Sequence, residues 1–193
     1  MAVVLVTPIF AAEQGSIDIV GKLGAAVNPE WGYVIEEDGV GEDFKTNPAL
    51  SIAVEGLYYV LPELPLGLGA NYQFDSKGTK YDYENGVTNV YLTIKPTAKI
   101  DSKIFTALYV IGQIGYGFNR ISADDFFARK CKVDSNGLYW GLGAGTEIMN
   151  DFIFEFVFST NYWKLKVESD SKSNTYDMRS TALTFFAGYK FNI

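Results

Sequence analysis

Residues 152–159 read Phe-Ile-Phe-Glu-Phe-Val-Phe-Ser. Phenylalanine occupies every second position from Phe152 to Phe158, so the four rings lie on one face of an extended chain. The other face is mixed and carries the polar residues Glu155 and Ser159. A period of two predicts a β-strand with one apolar face and one partly polar face.

Similar alternation recurs along the chain. The segments are about 17–28, 49–60, 66–74, 89–99, 104–118, 138–148, 152–161 and 183–193. Their connections are alternately long and short, and the short ones contain Pro62-Glu63, Asp101-Ser102 and Asn150-Asp151. Each segment has about 9 to 15 residues, which is enough to cross the hydrocarbon layer at a tilt. In lipid an open sheet edge would leave unpaired amides, so the sheet must close.

The prediction is an all-β fold: an eight-stranded antiparallel up-and-down transmembrane β-barrel with four long extracellular loops and three short periplasmic turns. It places the chain in the cell outer membrane of a Gram-negative-type envelope. The composition agrees, because 48% hydrophobic and 20% charged residues suit neither a disordered chain nor a helical membrane protein. A net charge of −7 argues against a nucleic-acid partner.

The first residues have the character of a targeting segment. Residues 1–12 are apolar and end in Ala11-Ala12 before a polar stretch, as at the end of a secretory signal peptide. The usual basic start is missing, so residues 1–12 are interpreted as a signal-peptide remnant and 13–193 as the barrel. A plain buried strand is the alternative for this segment.

Charged residues on the polar faces are predicted to lie in the lumen. They are Asp18, Lys22, Glu55, Lys95, Lys99, Glu147, Glu155 and Lys190, which balance in sign. Counting from the turns predicts ion pairs of Lys22 with Glu55 and of Lys190 with Glu155 or Asp18. Buried charges persist only when they are paired, so these residues would plug the lumen. The rival interpretation is a carboxylate pair for acid/base chemistry.

Aromatic residues cluster at both ends of the predicted strands. Those at the loop ends are Tyr72, Phe74, Tyr116, Phe118, Trp140 and Tyr162, and those at the turn ends are Tyr58, Phe152, Tyr189 and Phe191. Two belts at two heights are typical of the two interfaces of a membrane. In a soluble barrel the same rings would point inward.

The chain resembles the small outer-membrane barrels of the OmpA-like and OmpX-like, porin-like type. The resemblance rests on the alternating stretch 184–193 and on residues 139–145 followed by Asn150-Asp151. It implies contact with outer-membrane lipid and lipopolysaccharide, and recognition of the last strand by the barrel-assembly machinery. That strand usually ends in an aromatic residue, whereas this chain ends in Ile193.

Enzymatic activity is not expected. Enzymes among such barrels use a catalytic His, and this chain contains none. No catalytic residue, cofactor or metal is predicted. The acidic loop at about 29–47 lacks the spacing of a known calcium loop, although such a cluster could hold a divalent cation. Cys131 is the single cysteine, so it cannot form an internal disulfide, and its role stays open.

The long loops are the predicted place of any recognition. Phe126-Phe127 beside Arg129 and Lys130 could contact lipopolysaccharide or an extracellular partner, or simply pack on the barrel rim. Three functions remain open: a non-enzymatic structural or surface-interaction barrel, a narrow porin-like channel or carrier for small solutes, and a soluble lipocalin-like ligand-binding barrel.

Overall fold

The computed structural model describes residues 13–34, 41–78, 83–123, 131–169 and 172–193. Its strands are β1 (Ile17–Val34), β2 (Gly41–Lys45), β3 (Ala49–Leu61), β4 (Leu64–Lys77), β5 (Tyr83–Ile94), β6 (Thr97–Lys99), β7 (Phe105–Ala123), β8 (Cys131–Ile148), β9 (Phe152–Ser169) and β10 (Lys172–Asn192). Within these ranges there is no helix of sufficient length and apolarity to span a membrane. The predicted signal remnant, residues 1–12, lies outside the described residues.

The ten segments form eight barrel strands. Segments β2 and β3 both pair with β1 and are separated only by Thr46, Asn47 and Pro48. In the same way β5 and β6 both pair with β7, and Lys95 and Pro96 separate them. Proline cannot donate to a sheet ladder, which explains why each strand is interrupted there.

The sheet closes through β1 and β10. These strands pair antiparallel from Asp18 opposite Asn192 to Val34 opposite Asp177, with one register shift after Val27. Every other neighbour is also antiparallel and next in the chain. The predicted eight-stranded up-and-down barrel is therefore confirmed.

The turns at one end of the barrel are short. Leu61 pairs with Leu64 across Pro62 and Glu63. The turn between β8 and β9 places Met149 and Asn150 at positive φ, 52° and 68°. Asparagine tolerates this left-handed conformation better than most residues, which fits its place in the predicted Asn150-Asp151 turn.

At the other end the strands run farther than the alternation indicated. Segment β7 continues to Ala123 and β8 begins at Cys131, although the loop was predicted to start at about residue 119. Only about 9 to 11 residues are needed to cross the hydrocarbon layer. Beyond the hydrocarbon layer, hydrogen bonds between the strands still pair the backbone groups. Both faces of the sheet meet water there, so an alternation of apolar and polar residues is not needed, and the sequence does not show that the strand continues.

The apolar faces of the strands point outward, away from the lumen. Leu68 is 64% exposed, Leu23 62% and Phe154 51%, whereas their neighbours along the chain are buried or covered. The interior is mixed and contains charged and amide side chains together with apolar ones such as Leu57, Ile111 and Phe186. A soluble lipocalin-like barrel needs its apolar residues inside, so this alternative is wrong: in water the outer surface would expose far more apolar area than a soluble monomer tolerates.

Candidate functional site: the charged cluster in the lumen

Two lysines and two glutamates alternate around a square inside the barrel. Lys22 Nζ lies 2.6 Å from Glu55 Oε1 and 2.9 Å from Glu155 Oε2. Lys95 Nζ lies 2.5 Å from Glu55 Oε2 and 2.5 Å from Glu155 Oε1. Each ammonium therefore bridges both carboxylates, and each carboxylate binds both ammonium groups. We call these four residues the central cluster.

The central cluster is cut off from solvent. The side chains of Lys22, Glu55 and Glu155 are 0% exposed, and that of Lys95 is 4% exposed. Charges buried to this degree lose their hydration, and only close opposite charges and further hydrogen bonds compensate for that loss. The cluster meets this condition because its formal charges sum to zero.

Neutral groups complete the coordination of the carboxylates. Tyr91 donates its hydroxyl to Glu55 Oε1 at 3.0 Å, and Gln113 donates its amide to the same atom at 3.3 Å. Tyr109 donates to Glu155 Oε1 at 3.0 Å. Tyr139 in turn donates to Gln113 Oε1 at 2.6 Å, so it orients the amide that reaches Glu55.

Aromatic rings and glycines shape the space around the charges. Lys22 Nζ lies 5.2 Å from the centre of the Phe186 ring, and Lys95 Nζ lies 5.4 Å from that of Tyr109, distances suited to cation–π attraction. Gly69 lies against the Tyr91 ring: a Cβ added there would be 2.5 Å from Tyr91 Cε2 and 2.9 Å from Glu55 Cγ. Glycine at this position leaves the room that the Tyr91 ring occupies next to Glu55.

A second group of charges lies nearer the turns. Tyr59 and Asn192 donate hydrogen bonds to the two oxygens of Asp18 at 2.7 Å and 2.9 Å. Lys190 Nζ lies 3.0 Å from Glu147 Oε2 and 3.7 Å from Asp18 Oδ2. We call these five residues the turn-side cluster.

The structure brings together Lys22 and Glu55, and Lys190 and Asp18, as the sequence predicted. Of the two alternatives predicted for Lys190, the structure has Asp18 and not Glu155, and Lys190 also contacts Glu147, which was not predicted as its partner. Glu155 lies opposite Phe186 on β10, which is four residues from Lys190 on the loop side. Glu155 therefore binds Lys22 and Lys95 instead of Lys190. The register between β9 and β10 places Glu155 at this height, and counting residues from the turns does not predict that register.

Lys99 is placed differently from the prediction. It was assigned to the lumen because it shares the parity of Lys95, but the structure leaves it exposed at the end of β6. Its backbone pairs with Ala107 near the turn, and its side chain is exposed at that end of the barrel although Ala107 itself is buried. The alternation of residues along a strand predicts which side of the sheet a side chain lies on. It does not predict whether the barrel still encloses the side chain at that position along its axis.

The acid/base alternative concerns Glu147 and Glu155, and the structure places these two carboxylates in different clusters, each bound to lysine. A catalytic carboxylate pair needs access to a substrate and a group free to exchange a proton. Glu55 and Glu155 are instead each held between Lys22 and Lys95 and fully covered.

The aromatic belt residues lie on the outer surface. Tyr58, Phe74, Tyr116, Phe118, Phe152, Tyr162, Tyr189 and Phe191 are exposed, while Tyr72 and Trp140 are partly covered by neighbours. Ring centres lie 5.0 Å apart for Tyr72 and Phe74, 5.5 Å for Tyr116 and Phe118, 5.9 Å for Trp140 and Phe158, and 4.7 Å for Tyr189 and Phe191. Phe152 also contacts Tyr189 at 5.3 Å, so rings cover both strand ends.

Sequence reasoning missed the neutral partners of the charges. The predicted site residues do not include Tyr91, Tyr109, Gln113 or Tyr139. Their signal was present, since each has the parity of the inward side and lies on a strand whose outward side is apolar. A buried tyrosine hydroxyl requires a partner, which points to the nearest carboxylate.

Several loop predictions fall outside the described residues. Glu36, Glu37 and Asp38 of the acidic loop and Phe126-Phe127 of the third loop belong to this group. Among the residues that the structure describes, there is no group of three or more potential metal-ligating side chains. At the loop-side rim, Arg120 Nη2 binds both carboxylate oxygens of Asp75 at 2.7 and 2.8 Å.

A closed antiparallel barrel with an apolar exterior, aromatic rings at both ends and an ion-paired interior defines an outer-membrane β-barrel protein. The chain belongs to the outer membrane protein beta-barrel domain family, whose model matches residues 1–191. Its location is the outer membrane. No curated protein matches the chain.

Solved structures of the same architecture are similar to the chain. Neisserial surface protein A is 12% identical with a TM-score of 0.54, over 90% of this chain and 97% of that one. Ail of Yersinia pestis is 12% identical with a TM-score of 0.49, over 92% and 99%. OprG of Pseudomonas aeruginosa is 15% identical with a TM-score of 0.49, over 93% and 97%. At these identities the likeness concerns the fold alone.

Proposed function

We propose that the protein is a non-enzymatic outer-membrane barrel with a structural or surface-interaction role, and that its lumen is closed to solutes. The observation that carries this proposal is the central cluster, in which every ammonium and carboxylate is bound twice within the cluster and none is exposed beyond 4%. A conducting path would have to separate these charges.

All eight barrel strands take part in closing the lumen at this height. Lys22 comes from β1, Glu55 from β3, Tyr91 from β5, Glu155 from β9 and Phe186 from β10. Residues of β7 and β8 complete the ring, and β4 contributes the glycine on which Tyr91 packs. An eight-stranded barrel is only wide enough for its side chains to fill, which supports a plug rather than a pore.

The lack of an enzymatic role is supported by the chemistry of the chain. The sequence contains no His, so the usual general base near neutral pH is missing. The carboxylates of the central cluster are occupied by lysines and tyrosines. Ion pairing that closes the lumen accounts for this arrangement without a reaction.

The partners of such a barrel follow from its surfaces. Its apolar outer face and aromatic belts fit outer-membrane lipid, and the belt on the loop side is where lipopolysaccharide would lie. Its last strand, β10, closes the barrel on β1 and is the segment that the barrel-assembly machinery would recognise. An extracellular partner would bind the loops.

Planar-bilayer recording of the refolded full chain tests the closed lumen. We expect no discrete conductance steps at neutral pH, with a general porin in the same bilayers as the positive control. Folding is checked beforehand by the shift in gel migration between heated and unheated samples. Reproducible steps from the wild-type protein would overturn the proposal and favour the narrow channel.

A further inference from the structure

An apolar groove crosses the lipid-facing surface of the barrel over β3, β4, β5, β7 and β8. Its volume is about 850 Å³. Its walls are two neighbouring rows of outward residues, each formed by consecutive cross-strand partners. The loop-side wall is Gly56, Leu68, Leu92, Ile114 and Trp140. The turn-side wall is Tyr58, Leu66, Ile94, Gly112 and Leu142. We call this feature the outer groove.

Missing side chains make the surface concave at this place. Each wall contains one glycine, Gly56 in the loop-side wall and Gly112 in the turn-side wall, among otherwise large apolar residues. A Cβ added to Gly56 would meet no atom within 4 Å, so the space beside it is open. Glycine in a strand lets another molecule come close to the backbone. The outer groove is therefore a place where lipid reaches the sheet itself.

The outer groove offers apolar contacts to an occupant. Thr93 and Gln113 lie in its floor, but both side chains are buried, and Gln113 donates to Glu55 in the lumen. Five strands at their usual spacing make the groove about 19 Å long. One leaflet of the hydrocarbon layer is about 15 Å thick. The occupant that fits is long, narrow and apolar, as a single acyl chain of the surrounding membrane is.

A second copy of the barrel is a poorer occupant. A symmetric dimer would place the same surface of both chains on a two-fold axis. The two outer grooves would then face each other across an unfilled space, and walls without contacting atoms lose their dispersion energy. A flexible acyl chain fills such a space without a matching ridge on a protein.

A polar pocket of about 360 Å³ lies on the loop side of the outer groove. Four of its residues are consecutive cross-strand partners on β4, β5, β7 and β8, which also carry the groove, and Arg120 on β7 adds a guanidinium group. The four are Tyr72, Thr88, Phe118 and Asn136. One row of outward residues separates this pocket from the outer groove: Ala70, Val90, Tyr116 and Leu138. We call it the rim pocket.

The rim pocket has hydrogen-bonding groups for a polar head group. Arg120 binds Asp75 and Tyr72 through Nη2, so its Nη1 and Nε donors have no partner among the described residues. Thr88 adds a hydroxyl group and Asn136 an amide. Asp75 balances the charge of Arg120, so hydrogen bonds rather than net charge would select the ligand. Sugar hydroxyl groups, which both donate and accept, match these groups.

We propose that the rim pocket and the outer groove together bind one glycolipid of the outer leaflet, with its sugar head group in the rim pocket and one acyl chain in the outer groove. The long loops mark the outer side of the membrane, so the rim pocket lies in the outer leaflet. Binding at this site rests on the lipid contact in the proposed function and confines it to one sector of the barrel. The closed lumen does not depend on this site, so the conductance test and the lipid test can fail separately.

Native mass spectrometry of the full-length protein in detergent micelles counts the bound lipids. Trp140 fluorescence follows the outer groove in a Trp31→Phe, Trp163→Phe background, and gel migration checks the folding of each variant. Lipid A is the glycolipid probe, and phosphatidylglycerol with acyl chains of the same length is an anionic lipid without a sugar. We expect one lipid A per barrel, a saturable change in Trp140 emission and at least tenfold weaker binding of phosphatidylglycerol.

One variant fills the outer groove and another removes donors from the rim pocket. Gly56→Leu places a side chain in the open space of the groove and is expected to weaken lipid A binding at least tenfold. Gly21→Leu is its matched control, because Gly21 is also exposed with open space beside it but lies on β1, outside the groove. Arg120→Gln should weaken lipid A binding at least fivefold. Its control is Lys77→Gln, since Lys77 is an exposed cation that lies 4.0 Å from Glu84 and outside the rim pocket.

Three results would overturn the proposal. The first is the absence of saturable lipid A binding to the folded wild-type protein. The second is equal affinity for lipid A and phosphatidylglycerol, which would mean that the head group is not recognised. The third is a variant that binds lipid A as tightly as its own control, because the acyl chain or the head group would then lie elsewhere on the barrel.

Discussion

Replacement of Lys22 by methionine tests whether the central cluster holds the barrel together. Lys22 supplies one of the two cations for both Glu55 and Glu155. Methionine keeps an unbranched apolar stem but removes the ammonium group, which lies 5.2 Å from the centre of the Phe186 ring. The variant therefore leaves two buried carboxylates with only Lys95 between them.

The cost can be worked out from the bonds that are lost. Two charge-assisted hydrogen bonds disappear, each worth about 1.5–3 kcal/mol, and the interior acquires an unbalanced negative charge. Breaking a buried ion pair from one side costs about 3–5 kcal/mol. The remaining bonds from Tyr91, Tyr109 and Lys95 to the carboxylates limit the damage. We expect Lys22→Met to lower the free energy of unfolding by about 3–5 kcal/mol.

A double-mutant cycle separates the charge interaction from lost packing. Lys22→Met with Glu155→Gln leaves one cation and one anion, so the interior is neutral again. The two changes should therefore cost at least about 2 kcal/mol less together than the sum of the single variants. Asp75→Asn is the control partner: it alters the rim pair with Arg120, shares no contact with Lys22, and should combine additively to within about 0.5 kcal/mol.

Reversible urea unfolding in phospholipid vesicles measures these values, with tryptophan fluorescence and gel migration as independent reports of the folded state. The reasoning is refuted if Lys22→Met costs less than about 1 kcal/mol, which is the worth of an exposed pair. It is equally refuted if Lys22→Met and Glu155→Gln are additive, since the carboxylate would then not depend on that lysine.

Two further pairs of variants test the packing and the orientation of the barrel. Gly69→Ala places a methyl group 2.5 Å from Tyr91 Cε2 and should lower the free energy of unfolding by about 1–3 kcal/mol in the same urea assay. Gly56→Ala is the control, because its methyl group meets nothing within 4 Å and should change that free energy by no more than about 0.5 kcal/mol. Equal effects of the two variants would contradict the packing of Gly69 against Tyr91. Leu68 lies near the middle of the lipid-facing surface, so Leu68→Arg should lower the free energy of unfolding in vesicles by about 2–4 kcal/mol. Leu61 lies beside the turn, so Leu61→Arg should lower it by only about 0–1 kcal/mol. The reversed order would contradict the positions assigned to these residues in the membrane.

The faces of the strands could be predicted because their signal is local. In residues 152–159 each side chain reports its own side of the sheet, and Phe154 and Glu155 lie outside and inside as the alternation indicated. The same holds for Leu23 and Lys22 on β1. Closure then followed from the lipid environment, which does not tolerate an open edge.

The contacts inside the lumen could be predicted only in part. Lys22 and Glu55 lie on neighbouring strands, so their meeting depends on one register. The contact of Glu155 with Lys95 crosses the barrel and depends on the stagger accumulated around its whole circumference. No local pattern contains that stagger, so the sequence does not predict the contact of Glu155 with Lys95. The exposure of Lys99 is missed for another reason, because parity does not show where along its axis the barrel stops enclosing side chains.

This dependence on stagger gives the central cluster a further consequence. The period of the side chains is two, so β1 could slide against β10 by two residues and still keep its apolar face in lipid. Such a slide moves Lys22 by about 7 Å along the strand, too far to keep both of its bonds. Apolar residues of similar volume would stabilise the interior as well as ion pairs do, but they would not distinguish the registers. We therefore expect the central cluster to select the register rather than to add net stability.

A variant in which methionine replaces both lysines and leucine replaces both glutamates of the central cluster tests this expectation. Cysteines introduced at Leu23 and Ala187, which are partners across the closing strands, report the native register by disulfide formation in a Cys131→Ser background. Cysteines at Leu23 and Tyr189 report the slide by two residues. We expect only the first disulfide when the central cluster is present and both when it is replaced, at a free energy of unfolding within about 2 kcal/mol of the parent. A replaced barrel that still forms the native disulfide alone would show that turns and packing set the register without the charges.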